Sequence, residues 1–453
     1  MIKKLYKRSP VLLQNIFVTI ENIFVLYKKY KYIPLLDSMA KISQDVVKNS
    51  YMNKQHTLLD RINKFSEYAT SHTVYYKSKK NEYPKLNSLD EITKWPLLEK
   101  EVLKAETETF YSSEIDSSNS RTLHTSGSTG SPMKIKVSVS DLQLRFRLLL
   151  KTMIEFGYDP LKPMGRITGH DISDEDVIYR KDYLNKHFFL SAFHLSQDNI
   201  QKYYDVIVDN QLETLEGYPS AIYVMAKLFD QNGYKVECVK NVFTTAEKLH
   251  EYQKEQIEKT FGCKVFDYYG SNEQSIFIFT CKEGRLHSAD ATGLLEVVDE
   301  DSRHVQPGEV GSMVVTSLTS HFMPLIRYKI GDACKLSEDQ SCGCGNGGLI
   351  IDEIIGRDED IFQTIEGNYI TRFSVVLKYL PFDVIESQIV LNNEKLLIVL
   401  YYVANKMLIE DLFSDFEKNL ISKVGTQYHI VYKKVDEITK TSRGKKRAVI
   451  IED

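Results

Sequence analysis

Apolar and polar residues alternate along the chain with two different periods, which together predict a mixed α/β fold. Residues 134–139 alternate with a period of two, as is typical of a half-buried strand. Residues 142–156 repeat apolar side chains at helical spacing, and Ser140 or Asp141 is expected to cap that helix. From there to residue 268, helices and short apolar strands follow one another. This order favours helices layered on a parallel sheet.

Turn residues mark the ends of the predicted strands in this region. A strand end and turn are predicted over residues 214–220, followed by strands over residues 239–244 and 264–268 and helices over residues 221–229 and 249–260. In open α/β sheets, ligands bind outside the carboxyl ends of the strands. Gly217, Thr245 and Gly270 fall at these ends, so we expect them at one ligand-binding edge.

The pattern changes at both ends of the chain. Helices are predicted over residues 57–70, 88–94 and 99–105, and strands over residues 293–298, 311–317 and 348–355. A separate last unit is predicted, with a hairpin turn at Gly367-Asn368, strands over residues 387–390 and 395–403, and a helix near residues 408–424. We therefore expect three parts: a helical segment (1–95) packing on the large domain, a large α/β domain (96–356) and a small α+β C-terminal domain (357–453).

Composition and charge narrow the class of protein. The chain has 453 residues, of which 42% are hydrophobic and 26% charged, as in an ordinary soluble globular protein. Lys and Arg number 58 against 62 Asp and Glu, and the net charge of -4 gives no electrostatic case for nucleic acid. The six cysteines, without a secretion signal, indicate a reducing compartment, and we expect a cytoplasmic protein.

An apolar run follows the basic N-terminus. It is interrupted by Gln14, Asn15, Glu21 and Asn22, so it is too short and too polar to span a bilayer, and no small-residue cleavage site follows it. An amphipathic helix that packs on the body of the protein is expected. The alternative is a helix on a membrane surface, helped by nearby lysines, which would at most give peripheral membrane contact.

A loop dense in glycine and hydroxyl groups lies at residues 125–132, between two extended stretches at residues 121–124 and 134–139. Glycine lets the backbone approach a ligand, and successive N–H groups and hydroxyls can donate to phosphate oxygens. The loop lacks the Gly-Lys-Ser/Thr that leads into a helix in Walker-type loops, which disfavours a kinase. Taken alone, it could equally be a flexible surface turn.

Four further stretches combine glycine with charged or aromatic residues, and each is common in turns when taken singly. They are residues 266–273 (FDYYGSNE), 327–332 (RYKIGD), 356–360 (GRDED) and 439–447 (TKTSRGKKR). In this order, after the glycine loop, they resemble the adenylate-forming superfamily of acyl-CoA synthetases, peptide-synthetase adenylation domains and luciferases.

Within this superfamily, the chain is most similar to the phenylacetate-CoA ligase-like group and its capsular-polysaccharide-biosynthesis branch. The resemblance rests on residues 192–196 (AFHLS), 217–220 (GYPS), 244–247 (TTAE) and 444–447 (GKKR). It implies an AMP-forming acid-CoA ligase, with a large multi-sheet domain of the adenylate-forming type (96–356) and a small mobile lid domain (357–453). In that family a carboxylic acid reacts with MgATP to give an acyl-adenylate and pyrophosphate, and the acyl group then passes to a nucleophile, commonly the thiol of CoA.

The resemblance also implies roles for individual residues around the phosphates. Glu273 would hold Mg²⁺, a hard cation that takes oxygen ligands. Lys445 would bridge the substrate carboxylate and the α-phosphate and so stabilise the transition state of adenylation. The β- and γ-phosphates would be cradled by Ser126, Gly127, Ser128, Thr129 and Gly130.

The rest of the nucleotide and the acid would be held by the other motifs. Asp332 would accept hydrogen bonds from both ribose hydroxyls, with Arg357 nearby, and Glu359 occupies the position of the hinge between the two domains. The residues expected around adenine and in the same motifs are Thr245, Ala246, Glu247, Tyr268, Tyr269, Gly270, Ser271 and Asn272. The acid pocket is expected around His194, Tyr218, Thr244 and Tyr269.

Two positions depart from the family pattern. Asn272 stands where relatives usually have Ser or Thr, although an amide can still donate to phosphate. Met133 separates Pro132 from Lys134, which displaces the lysine that many relatives place directly after the proline. A lysine on the surface of a strand is therefore at least as good an interpretation of Lys134 as a phosphate ligand.

Four Cys and His residues predict a structural zinc site. Cys281 and His287 bracket a short loop, and Cys342 and Cys344 form a tight knuckle, so the four make a Cys3His set suited to tetrahedral Zn²⁺. The arrangement also resembles that of some phenylacetate-CoA ligase-like proteins. Buried cysteines without a metal are the alternative, and Cys334 is the substitute ligand if Cys342 is not used.

The acceptor and the acid are not fixed by these residues. CoA is the default acceptor of the group, while the capsule branch leaves open an amino sugar or a carrier protein. A rival of another kind is a non-catalytic, nucleotide-binding scaffold of a capsule pathway. The presence of Glu273, Asp332, Arg357 and Lys445 together favours the enzyme, because nucleotide binding alone has no use for the lysine.

Overall fold

The computed structural model describes residues 9–25, 57–124, 133–168, 177–355, 362–363, 369–370, 376–377, 379–381, 383–384, 386–404, 406–438 and 449–452. The glycine loop and its Ser126–Gly130 phosphate cradle lie outside the described residues. So do Arg357, Glu359 and Lys445, and their predicted roles stay predictions.

The helices alternate with strands through the middle of the chain. The α-helices are α1 (Val11–Val25), α2 (Leu58–His72), α3 (Val74–Ser78), α4 (Lys100–Ala105), α5 (Val139–Glu155), α6 (Ile200–Asp209), α7 (Pro219–Gln231), α8 (Glu251–Phe261) and α9 (Ser414–Val424). Short 3₁₀ helices lie at Lys80–Glu82, Leu89–Lys94, Thr107–Phe110, Ser117–Asn119 and Glu410–Phe413.

The strands fall into several sheets. They are β1 (Ser120–His124), β2 (Lys134–Ser138), β3 (Met164–Thr168), β4 (Tyr179–Asp182), β5 (His187–Ser191), β6 (Thr214–Gly217), β7 (Asn241–Thr245), β8 (Val265–Gly270), β9 (Phe277–Thr280), β10 (Leu286–Ser288), β11 (Gly293–Val298), β12 (Val310–Ser317), β13 (Tyr328–Leu336), β14 (Ile350–Ile355), β15 (Phe362–Gln363), β16 (Tyr369–Ile370), β17 (Glu386–Asn392), β18 (Leu397–Val403), β19 (His429–Lys434) and β20 (Val449–Glu452).

The largest sheet has twelve strands in the order β11-β12-β13-β14-β10-β9-β8-β7-β6-β3-β5-β4. Strands β8, β7, β6, β3 and β5 run parallel between β9 and the edge strand β4, and the remaining pairs are antiparallel. Every residue of β6 is buried, as expected of a central parallel strand covered on both faces. Helices α7 and α8 pack over it through Ile222, Phe229 and Ile257. The predicted parallel α/β layers are confirmed.

The helical segment before residue 110 shares one core with the antiparallel part of this sheet. Buried Phe65, Tyr76 and Trp95 pack in the same cluster as Val315 and Tyr328. The cluster is closed by a buried ion pair. Arg327 donates to Glu296 from Nε at 3.1 Å and from Nη2 at 2.9 Å, and to the Trp95 carbonyl at 2.6 Å.

Two local predictions need correction. Helix α5 begins at Val139, earlier than expected, because the Ser138 hydroxyl accepts the Asp141 N–H at 3.0 Å and so caps it in place of Ser140 or Asp141. The segment predicted as a helix over residues 88–94 is a 3₁₀ helix, Leu89–Lys94, which ends where the extended backbone of Trp95 precedes proline.

Helix α1 lies on the body of the protein, but through its polar side. Gln14 and Asn15 are buried, and the side chains of Asn15, Thr19 and Asn22 bond to the edge strand β4 and the turn after it. The apolar side is exposed. Within the described residues, no helix is long and apolar enough to cross a membrane.

The last unit has its own core. Strands β19, β18, β17 and β20 form a four-stranded sheet in that order, and α9 packs on it through Phe416 and Leu420. The predicted hairpin turn at Gly367-Asn368 lies outside the described residues, and the strands on either side of it, β15 and β16, pair antiparallel. Phe193, from the large unit, packs in the same cluster as α9.

Candidate active site and metal centre

The predicted ligand-binding edge is formed by neighbouring parallel strands. Strands β6, β7 and β8 end at Gly217, Thr245 and Gly270, as the turn residues predicted. His194 follows the parallel strand β5, which places it along the same edge, two strands beyond β6. The edge therefore brings together residues that lie as much as 76 positions apart, counting from His194 to Gly270.

Close backbone contact explains the glycine at the end of β6. A Cβ atom on Gly217 would lie 2.2 Å from the carbonyl oxygen of Ile167. The next residue, Tyr218, donates its N–H to the same carbonyl at 3.1 Å, and helix α7 begins directly after it at Pro219. Glycine is required because β3 and β6 approach more closely than a side chain allows.

The end of β7 carries a strained turn. Ala246 has a φ of 72°, in the left-handed region that residues other than glycine rarely adopt. Glu247 uses one carboxylate oxygen to accept hydrogen bonds from the hydroxyl and the N–H of Ser220, in the first turn of α7. The side chain of Glu247 thus ties the turn to a helix N-terminus, where a negative charge is stabilised.

A buried carboxylate lies between β7 and β8. Thr244 is fully buried and donates its hydroxyl to Asp267 at 2.7 Å. Burial raises the pKa of Asp267 from 3.8 to about 7, although the Thr244 hydrogen bond opposes this. A carboxyl group that is half-protonated near neutrality therefore lies beneath the predicted acid pocket.

We expect Asp267 to make folding stability fall as the pH rises from about 4 to about 7. The folded protein holds the proton through this range while the unfolded chain releases it, so the ionised group penalises only the folded state. Between about pH 5 and pH 8, the loss should be roughly 2–3 kcal/mol, and Asp267→Asn should remove that part of it. Thermal melting of both proteins at the two pH values measures the difference.

Asp230→Asn is the matched control for this prediction. Asp230 is exposed, and its hydrogen bond with Lys259 lowers its pKa, which is the opposite direction. The control should keep the wild-type pH dependence. If Asp267→Asn keeps it as well, the proposed titration of Asp267 in the folded protein is wrong.

Two predicted nucleotide-binding residues meet across the sheet. The Tyr269 hydroxyl donates to Asp332 Oδ2 at 2.8 Å, although 63 positions separate the two residues. Burial, and then the charges of Asp332 and Glu273, raise the pKa of Tyr269 well above its usual value. Tyr269 is therefore a neutral donor that orients the carboxylate predicted to bind ribose.

Glu273 is a buried carboxylate, only 5% exposed. Tyr328 donates to its Oε1 at a long 3.4 Å, and within the described part of the chain no Lys, Arg or His forms an ion pair with it. A buried carboxylate is costly unless a cation or strong donors accompany it. The site therefore fits a hard divalent cation that arrives with the nucleotide.

The loop around Glu273 is held from several sides. Gln274 has a φ of 55°, and its carbonyl accepts the Thr319 hydroxyl at 3.1 Å. Arg145, buried in helix α5, donates to the Ile276 carbonyl at 3.2 Å and to Thr319 Oγ1 at 3.1 Å. These bonds fix the backbone on the C-terminal side of Glu273.

Sequence reasoning missed some side chains of this edge. Tyr328 lies in the stretch 327–332, whose sequence predicts no role for it, and its hydroxyl contacts Glu273. Glu216 accepts the Tyr268 hydroxyl at 2.6 Å and lies 2.7 Å from Arg166 Nε, so Tyr268 is engaged in a buried polar cluster below the edge. The sequence of β6, Thr-Leu-Glu-Gly, does not distinguish Glu216 from an exposed turn residue, so its burial is revealed only by the fold.

The predicted Cys3His set is assembled in space. The ligand atoms of Cys281, His287, Cys342 and Cys344 all lie within 4.8 Å of one another. The Sγ atoms of Cys281 and Cys342 are 3.8 Å apart, and Cys344 Sγ is 3.5 Å from His287 Nε2. Tetrahedral Zn²⁺ with ordinary bond lengths requires about 3.8 Å between sulfurs and about 3.6 Å between sulfur and nitrogen. Cys334 is not in the cluster of described residues.

Strand register builds this cluster. His287 pairs with Phe279 of β9 and with Ile350 of β14, which brings the turn after β9 beside the loop before β14. Gly348 has a φ of 87°, and a Cβ there would lie 1.9 Å from the Ser288 carbonyl oxygen. Arg285 fastens the loop by donating to Ser337 Oγ at 2.7 Å.

The pKa shifts of His287 and Cys344 favour the forms that bind a metal ion, whereas that of Cys281 does not. Burial lowers the pKa of His287, so the ring is neutral and can act as a ligand. Burial raises the pKa of Cys281 to about 11, while at Cys344 burial is outweighed by donors that include the Asn346 N–H, and the pKa is lowered. The donor set and its spacing fit zinc, and metal would displace the remaining thiol protons.

The fold and this edge are similar to those of adenylate-forming ligases. Residues 362–452 match the family described as the CapK C-terminal domain. The chain is 26% identical to Protein CapK of Staphylococcus aureus over 471 residues, which covers 99% of each protein. It is 26% identical over 284 residues to phenylacetate-coenzyme A ligase of Thermus thermophilus, which covers 59% of this chain and 62% of that ligase.

A third relative and two solved structures complete the comparison. Indoleacetate–lysine synthetase of Pseudomonas savastanoi is 31% identical over 140 residues, 30% of this chain and 33% of that enzyme. 2-Hydroxyisobutyryl-CoA ligase, solved with 2-HIB-AMP and CoA in the thioesterification state, has a TM-score of 0.58 at 20% identity and covers 87% of this chain and 89% of its own. Its open conformation has a TM-score of 0.53 at 19% identity, covering 87% and 91%.

These comparisons confirm three of the predictions. The α/β fold class is that of the acyl-CoA ligases, since likeness at such identities shows the fold. The resemblance to the adenylate-forming superfamily, to its phenylacetate-CoA ligase-like group and to the capsule branch is confirmed. The chain is therefore placed among enzymes of the acid-CoA ligase-like, AMP-forming type.

Proposed function

We propose that the protein activates a carboxylic acid with MgATP as an acyl-adenylate and transfers the acyl group to an acceptor, with CoA as the first candidate. The observation that carries the proposal is the 2.8 Å hydrogen bond between Tyr269 and Asp332, beside the buried Glu273. Glu273 accepts from Tyr328, which lies on β13 together with Asp332, so a carboxylate suited to ribose and a carboxylate suited to Mg²⁺ are both held at this strand.

The first half-reaction must overcome repulsion between two anions. An oxygen of the carboxylate attacks the α-phosphorus of ATP, a new O–P bond forms, and the bond to pyrophosphate breaks. The phosphate loop Ser126–Gly130 would supply donors for the leaving pyrophosphate, and Glu273 would hold the Mg²⁺ that accompanies the nucleotide and offsets its negative charge. Lys445 places a positive charge between the carboxylate and the α-phosphate, where negative charge accumulates in the transition state.

The second half-reaction transfers the acyl group. A sulfur of CoA attacks the acyl carbon, the C–O bond to AMP breaks, and the thiol proton goes to solvent. We propose that the small unit rotates relative to the large unit between the two half-reactions, with the hinge at Glu359. The core of the small unit includes Phe193, the neighbour of His194 in the predicted acid pocket, so such a rotation would change the surroundings of the pocket.

A second acceptor class has a specific observation in its favour. The relative that is 31% identical over 140 residues is named for joining indoleacetate to lysine, an acid to an amine. Transfer to an amine, such as an amino sugar, or to a carrier protein is therefore the alternative to CoA. The resemblance to the capsule branch favours a role in surface-polysaccharide biosynthesis. The rival is a non-catalytic, nucleotide-binding scaffold of such a pathway.

Pyrophosphate release from MgATP over a panel of carboxylic and amino acids tests the proposal. Release that depends on one acid, with a hydroxamate formed when hydroxylamine is added, establishes adenylation and names the acid. The acceptor is then assigned by whether CoA or an amino sugar increases the rate of turnover when it is added. ATP binding without release for any acid would overturn the enzymatic proposal in favour of the scaffold, and formation of ADP would indicate a phosphotransferase.

Asp332→Ala should chiefly weaken ATP binding. Loss of hydrogen bonds to a charged acceptor costs roughly 1.5–3 kcal/mol, so KM for ATP should rise about 10- to 150-fold while kcat changes much less. Tyr269→Phe removes only the donor that orients Asp332 and should give a smaller change of the same kind. Initial rates at varied ATP measure both. A large fall in kcat at saturating ATP would contradict the ribose role.

A further inference from the structure

Helix α1 turns its apolar side away from the protein. Leu12, Leu13, Ile16 and Ile20 are 61%, 46%, 41% and 50% exposed. At about 100° per residue, these four side chains fall within one stripe of about 100°. A surface helix normally buries such a stripe against the core, and a contiguous exposed stripe marks an interaction site.

Polar contacts fix this orientation. Asn15 Oδ1 accepts the Lys181 N–H at 3.1 Å and Thr19 Oγ1 accepts the Tyr183 N–H at 3.0 Å, so the helix satisfies outward-facing donors at the edge of the large sheet. Asn22 donates to Asp182 at 3.0 Å. Because these helix residues follow one another at i, i+4 and i+7, rotating the helix to bury its apolar stripe would break all three bonds.

The charge around the helix is opposite to that of the rest of the protein. Residues 1–33 contain seven Lys or Arg and one Glu, a net charge of +6 in a chain whose total is -4. The bases lie on both sides of α1 in the sequence, at Lys3, Lys4, Lys7, Arg8, Lys28, Lys29 and Lys31. Charge asymmetry of this kind points to an anionic partner.

We propose that α1 and its basic flanks dock the protein on the surface of an anionic lipid bilayer. The apolar stripe would enter the boundary between headgroups and acyl chains, and the lysines would meet the lipid phosphates. A second copy of the chain fits less well as the occupant. A two-fold contact through this stripe would bring together two segments of charge +6.

Flotation of the full-length protein with vesicles tests this inference. Vesicles of phosphatidylcholine mixed with phosphatidylglycerol should carry the protein, and vesicles of phosphatidylcholine alone should carry far less. Leu13→Asp combined with Ile20→Asp should weaken binding roughly a hundredfold or more, because two buried apolar side chains are lost. The triple change Lys28→Gln, Lys29→Gln and Lys31→Gln should cost about fivefold per lysine and reduce the dependence on salt.

The matched control places Asp at two exposed apolar positions elsewhere. Val74 and Ile409 are each 67% exposed, and changing both should leave vesicle binding unaltered. Unchanged melting of all variants excludes loss of the fold. Leu13, Ile20, Val74 and Ile409 are each at least 46% exposed, so their replacement should leave the core intact. Three results would each overturn the inference: equal binding to both kinds of vesicle, a dimer that the Leu13/Ile20 change abolishes, or a monomeric protein that does not bind vesicles.

Discussion

Replacing Lys445 with alanine is expected to slow acyl-adenylate formation about 100- to 1,000-fold, with a much smaller effect on ATP binding. A preorganised positive charge aimed at the transition state is worth on the order of 3–4 kcal/mol. The charge developing between the carboxylate and the α-phosphate exists only during the first half-reaction, so kcat rather than KM should fall. Pyrophosphate release at saturating ATP and acid measures the loss.

Lys446→Ala is the matched control, because it removes the same charge one position along the same basic stretch. It should keep adenylation within a few-fold of the wild type. A second control supplies preformed acyl-adenylate with CoA: Lys445→Ala should use it at nearly the normal rate, since the lysine is assigned to the first step only. Near-normal pyrophosphate release by Lys445→Ala would end this assignment.

The second large effect is expected at the Cys3His cluster. We propose that Cys281, His287, Cys342 and Cys344 hold a structural zinc ion, because their spacing matches tetrahedral coordination. Protein purified without chelator should contain about one zinc per chain, and Cys281→Ser should lose it. The variant should melt roughly 5–10 °C lower, because the turn after β9 and the loop before β14 are no longer joined.

Cys238→Ser and Cys334→Ser control for the loss of a thiol alone. Neither residue is in the cluster, and Cys334 is buried in another core, so its variant separates packing from metal binding. Both variants should retain zinc. Wild-type protein from which zinc has been removed by a chelator should melt like the Cys281→Ser variant, which would confirm that the metal, rather than the sulfur atom, stabilises the region. Wild-type protein that contains no zinc when purified without chelator would overturn the proposal.

The proposed role of the zinc site is structural, and the zinc ion takes no part in adenylation. Its ligands come from the turn after β9, from β10 and from the loop before β14, while β8 carries Tyr269 directly next to β9. A folded cluster therefore supports the strands on which the nucleotide edge is built. We expect zinc loss to lower stability more than it lowers kcat in the fraction of protein that remains folded.

Several features of the protein were determined by its sequence alone. The strand predicted over residues 293–298 is β11, and the glycine and threonine at residues 217, 245 and 270 end β6, β7 and β8. Side-chain periodicity and turn residues act within a few positions of one another, so they can be read without the fold. The ordered motifs also indicated the superfamily, because each reacting group needs a particular residue type beside a glycine turn.

Only the tertiary structure decided which of these residues meet. Tyr269 reaches Asp332, and His287 faces Cys344, because the register of β8, β9, β10, β13 and β14 sets these contacts, and register depends on pairing between distant segments. The direction of α1 was decided in the same way. Its sequence predicted an amphipathic helix, but the open edge of β4 offered hydrogen bonds to the polar side, and those contacts left the apolar side exposed to solvent.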